Sequence, residues 1–121
     1  MKSHKDLDVW KAAVGLAKSI YQVTAAFPKE EMFGMTTQMR RCSVSIASNI
    51  AEGAARQGKR EFIQYLHIAL GSASELETQL IIAAEVKLSK STTLADLDED
   101  LTRVRQMLRG LVKSLKTATE G

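Results

Sequence analysis

The chain has 121 residues, 45% hydrophobic and 26% charged, with a net charge of +3. That length suits one domain with a sizeable core, and the balance excludes a disordered chain. A single cysteine, Cys42, excludes an internal disulfide and a multi-cysteine zinc site, so a reducing cytoplasm is the expected compartment. The longest uncharged run, Phe62 to Ser74, holds Gln64 and His67 and is too short and too polar to span a bilayer. The opening "MKSHKDLDVW" lacks the apolar stretch of a signal peptide, and no membrane partner is expected.

One proline and seven glycines leave few breaks, which favours long helices over many short strands. The first helix is predicted over residues 6–27. Leu7, Trp10, Val14, Ala17 and Tyr21 recur in steps of three and four, and a second row of Ala13, Leu16, Ile20, Val23 and Phe27 runs beside them. Two rows make a stripe wider than one partner helix covers. Pro28 ends the segment.

A second helix is predicted over 36–56, with Met35, Met39, Cys42, Ile46, Asn49 and Gly53 on one row. Nine of the fourteen residues from Cys42 to Ala55 are Ala, Ser, Gly or Cys. Small residues, among them Ala47 and Ala51, lie on nearly every side and let neighbouring backbones approach. Gly53 and Gly71 point the same way, since a mid-helix glycine costs about 1 kcal/mol against alanine. Tight packing inside one bundle explains this pattern, and so does contact between copies; the wide stripe on the first helix favours self-association.

The third helix is predicted over 59–87, with Phe62, Leu66, Ala69, Ala73, Leu76, Leu80 and Ala83 inward. The fourth, over 94–118, has the most regular repeat: Leu94, Leu97, Leu101, Val104, Leu108, Leu111, Leu115 and Ala118. Thr93 followed by Asp96 reads as a capping box at its start. The sum is one all-α domain, an antiparallel up-down-up-down four-helix bundle.

The segments "FPKEEMFGMTTQMRRCSVSIASNIAEGAAR" and "KREFIQYLHIALGSASELETQL" resemble the bacterial four helix bundle protein family, also called 23S rRNA intervening-sequence proteins or the S23 ribosomal protein family. The resemblance runs from about Trp10 to Ala84; the fourth helix matches only by pattern. It implies a four-helix bundle assembled into a homo-oligomeric ring, pentamers in particular. It also implies a relation to the accessory protein of diversity-generating retroelements, which contacts nucleic acid. The family has no settled biochemical activity.

No catalytic constellation emerges. A di-iron bundle needs Glu-x-x-His on two helices, and the position three before His67 is Gln64. No phosphate-binding glycine loop or nucleophile motif is present, so neither an enzyme, a metal nor a cofactor is expected. Arg40, Arg41, Asn49 and Glu52 suit either a bound ligand or, more commonly, partners that fix helix register or a subunit seam. Arg105, Arg109, Lys113 and Lys116 share one face of the fourth helix, and Arg56, Lys59 and Arg60 cluster at the turn before the third. Cations at a helix C-terminus also complement its dipole. Two functions stay open: a non-enzymatic accessory protein that contacts RNA or DNA through these clusters, or an adaptor for another protein.

Overall fold

In the computed structural model, residues 3–120 are described, and the side chains of 118–120, including Ala118 of the fourth apolar row, lie outside the description. Helix α1 spans Asp8–Thr24, α2 Thr37–Ala54, α3 Lys59–Glu85 and α4 Ser91–Glu120. A 3-10 turn, His4–Asp6, precedes α1; a second, Lys29–Glu31, leads through a π-type turn, Met32–Thr36, into α2. No strand occurs among the described residues. Each helix packs on its neighbours in sequence, and α1 closes the square against α4. Short connections make successive helices antiparallel, which gives the up-down-up-down bundle.

Helix ends depart from the periodicity by a few residues, for local reasons. α1 stops at Thr24, whose hydroxyl donates to the Ile20 carbonyl at 2.7 Å. The next residues tighten into a narrower turn before Pro28, with Phe27 N–H bonded to Thr24 O at 3.0 Å. α3 closes with Lys87 at φ 57°, where Leu88 N–H reaches back to Ala83 O at 2.9 Å, the left-handed terminator usually given to glycine. α4 begins at Ser91, not at Leu94: Leu94 N–H already bonds Lys90 O at 3.1 Å, so Thr93 lies inside the first turn and does not cap it.

The core is continuous along the bundle. α1 supplies Ala13, Leu16 and Ile20, α2 Met39, Ile46 and Ile50, α3 Leu66, Leu76 and Leu80, and α4 Leu97, Leu101, Val104 and Leu108, all buried. Of the two apolar rows on α1, only the second points inward. The first is left at the rim, with Trp10 and Ala17 half-buried and Val14 and Tyr21 exposed at 42% and 46%. On α2 the helical phase puts Ile50 in the core and leaves Asn49 half-buried beside it.

Gly53 is a point of close approach between α2 and α3. A β-carbon there would stand 2.7 Å from Tyr65 Cβ, 2.9 Å from Phe62 Cδ1 and 3.2 Å from the Phe62 carbonyl oxygen. A backbone carbonyl and a Cβ cannot swing aside, so α2 and α3 touch here only because the residue has no side chain. Gly110 on α4 is the contrast, with open space where its β-carbon would go. Urea unfolding should therefore show Gly53→Ala destabilised by about 1–3 kcal/mol and Gly110→Ala stabilised by about 0.5–1 kcal/mol.

Candidate nucleic-acid interface

Antiparallel order brings the start of α3 and the end of α4 to the same end of the bundle. Lys59 and Arg60 stand exposed in the first turn of α3. Arg56, just past α2, is held in place: it pairs with Glu52 at 3.5 Å, donates to Tyr65 Oη at 2.7 Å and lies 5.0 Å over the Tyr65 ring. On α4, Arg109, Lys113 and Lys116 are exposed and rim a groove of about 520 Å³ with His67 and Leu70 of α3 opposite and Val112 beneath. Among the described residues no acidic side chain lines this groove.

Arg105 does not belong with them. It donates to Glu77 Oε2 at 2.7 Å and to Ser74 Oγ at 3.1 Å, its side chain is only 16% exposed, and its Nε is buried without a partner. This arginine ties α4 to α3. Helical spacing alone puts it on the cationic face; the neighbouring Glu77 decides otherwise. Conversely, His67, which by sequence is only a histidine that fails the di-iron motif, joins this face together with Leu70 and Val112. Periodicity assigns residues to a face of one helix, but not which residues of the next helix stand opposite.

The polar residues of α2 are mostly engaged at its seams. Arg40 donates through Nε to Thr24 Oγ1 at 2.9 Å and lies 4.6 Å over the Tyr21 ring, fastening α2 to the end of α1. Asn49 donates to the Ser45 carbonyl at 2.8 Å and to Ser45 Oγ at 3.0 Å, and Ser45 Oγ meets Ser72 Oγ of α3 at 2.9 Å. Glu52 points outward to Arg56. Arg41 is exposed and borders a polar cleft of about 260 Å³ with Gln38, Cys42, Glu75 and Gln79.

In that cleft the Cys42 thiol donates to Glu75 Oε2 at 2.9 Å. Burial, with the bond to and charge of Glu75, pushes the thiol up from 9.0 to about 12. It is a protonated donor and a poor nucleophile. The sign follows: the unfolded thiol loses its proton near 9 and the folded one only near 12, so its contribution to stability is full below pH ~9 and is lost as pH rises toward ~12. Alkylation by iodoacetamide at pH 8.5 should be far slower in the folded protein than in urea; equal rates would contradict the burial.

A third surface is apolar. Trp10, Val14 and Ala17 of α1 and Val44, Ala47 and Ala51 of α2 line a groove of about 370 Å³. On α3 a separate exposed row holds Ile68 and Ile82, with Val86 just past the helix end, and includes Gly71, where an added β-carbon would meet nothing within 4 Å. Among the described residues no group of three His, Cys, Asp or Glu side chains could hold a metal ion, and no helix is long and apolar enough to cross a membrane.

Comparison with known proteins agrees with this architecture. The family model for 23S rRNA-intervening sequence proteins matches residues 5–110. A crystal structure of a protein of unknown function from the S23 ribosomal protein family of Bacteroides thetaiotaomicron superposes with a TM-score of 0.81 at 26% identity, covering 87% of this chain and 95% of that one. No curated protein matches the sequence. The match over most of the chain, on an all-helical bundle of the same shape, places the protein in the 23S rRNA-intervening sequence protein family.

Proposed function

We propose that this protein is a non-enzymatic, self-associating cytoplasmic bundle that contacts RNA or DNA electrostatically through one basic end. The observation that carries this reading is the convergence of Arg56, Lys59 and Arg60 with Arg109, Lys113 and Lys116 at that end, the last three along a groove with no acidic lining among the described residues. Arg109 to Lys116 spans about 10 Å of helix at ~1.5 Å per residue, the scale on which phosphates repeat along a strand. A few cations bind weakly alone. Several copies held together multiply the affinity without any new contact.

The apolar surfaces support self-association. The α1–α2 groove and the outer row of α3 are different patches on different sides of one subunit. Contact between unlike patches is heterologous, and such contacts close into rings when the rotation allows. Ala47 and Ala51 line the receiving groove and Gly71 sits on the entering row. Phe33, 97% exposed in the turn before α2, offers a further apolar surface. Five copies is the number that the family resemblance implies.

Two experiments test these statements. In the triple variant Arg109→Glu/Lys113→Glu/Lys116→Glu, affinity for a labelled RNA or DNA strand at low salt should fall at least tenfold. The slope of log K against log salt should flatten by about 0.7 for each lost contact. Undiminished binding would sink the basic-end reading, and a wild type that ignores both strands yet holds a defined protein at moderate salt would replace it with an adaptor role. Arg105 is left intact in this variant because Glu77 depends on it. Separately, Ala47→Leu should lower the assembly state in light scattering, since overfilling a close contact costs about 1–3 kcal/mol; unchanged mass would exclude the α1–α2 groove as the contact.

A further inference from the structure

The basic end is more than a charged surface, because its α4 cations border an apolar hollow along one side. We infer that the groove between α3 and α4 seats one unstacked base of a single-stranded nucleic acid, with the flanking phosphates on Arg109, Lys113 and Lys116. This deepens the nucleic-acid reading above and rests on it.

The argument is one of complementarity. Leu70 is half-buried and Val112 buried, so the floor is apolar. His67 is exposed at its edge and offers an aromatic face, one of the side chains on which splayed bases stack. A cavity of about 520 Å³ is within the range that holds a small organic ligand. The cations sit on the rim, all from α4, four and three residues apart, so they follow one line of charge. A duplex buries its bases and offers phosphates alone, which would leave the apolar floor unused. A single strand presents both chemistries at once: a flat apolar ring and a charged backbone. The Thr117 hydroxyl donates to the Lys113 carbonyl at 2.9 Å, so the last turn beside the groove is internally bonded.

The test uses the full chain and two labelled strands of equal length, one of them abasic, with a duplex of the same sequence as a third probe. In fluorescence anisotropy the base-bearing strand should bind about tenfold more tightly than the abasic one and more tightly than the duplex. His67→Ala, an exposed position that does not threaten folding, should erase most of the difference while leaving abasic binding unchanged. Lys113→Glu should weaken all three probes. A strand carrying a photoreactive uracil should crosslink to His67, Leu70 or Thr117. Equal affinity for base-bearing and abasic strands, or a duplex preference, overturns this inference and leaves the electrostatic reading standing. Binding to none of the three overturns both. Anionic phospholipid vesicles that displace the strand only from a protein indifferent to bases would assign the groove to an acyl chain, and so also overturn it.

Discussion

Two apolar rows on α1 meet a helix whose side chains are too small to cover both, and much of the molecule follows from that mismatch. One row fills the core through Ala13, Leu16 and Ile20. The other, with Trp10, Val14 and Ala17, faces Val44, Ala47 and Ala51 across an open groove. Larger residues on α2 would have closed this seam and held α3 away at Gly53. Small ones bring α3 in and leave the α1 side bare. The same run of small residues thus tightens one interface of the bundle and opens another.

Small residues give little steric key to register, and hydrogen bonds at the seams supply it. Arg40 joins α2 to the end of α1 through Thr24. Asn49, Ser45 and Ser72 make a chain from α2 to α3, and Cys42 reaches Glu75 across the same seam. Arg105 with Glu77 does the equivalent between α3 and α4. Each is at least partly shielded from water, where a lost partner costs more than the bond itself contributes. These polar groups suit a role in setting how the helices slide against each other, a role that needs no ligand.

The bundle was legible in the sequence because four helical stripes are periodic and their connections short. Core residues such as Leu66, Leu76, Leu101 and Leu108 follow from spacing alone. Helix ends were less legible. Thr93 and Asp96 form a sound capping pattern, yet Ser91 and Thr92 also tolerate helical geometry, and the helix takes the extra turn. The candidate site was legible only by half. The cations on α4 share a face by arithmetic, but Arg105 leaves the set because Glu77 lies opposite it, and His67 and Leu70 join because they lie opposite Lys113 and Lys116. Those facts belong to the pairing of two helices, which neither helix states by itself.

In the function proposed here the apolar seam and the basic end would cooperate: the first would hold copies together, and the second would repeat around the assembly, turning a modest charge into a field a nucleic acid can feel. Sedimentation equilibrium of the unmodified protein at micromolar concentration tests the shared premise most directly. The account predicts a single species of several copies, near five times the 13.3 kDa of one chain. A species of 13.3 kDa, stable across that concentration range with α1 and α2 bare to solvent, would contradict it.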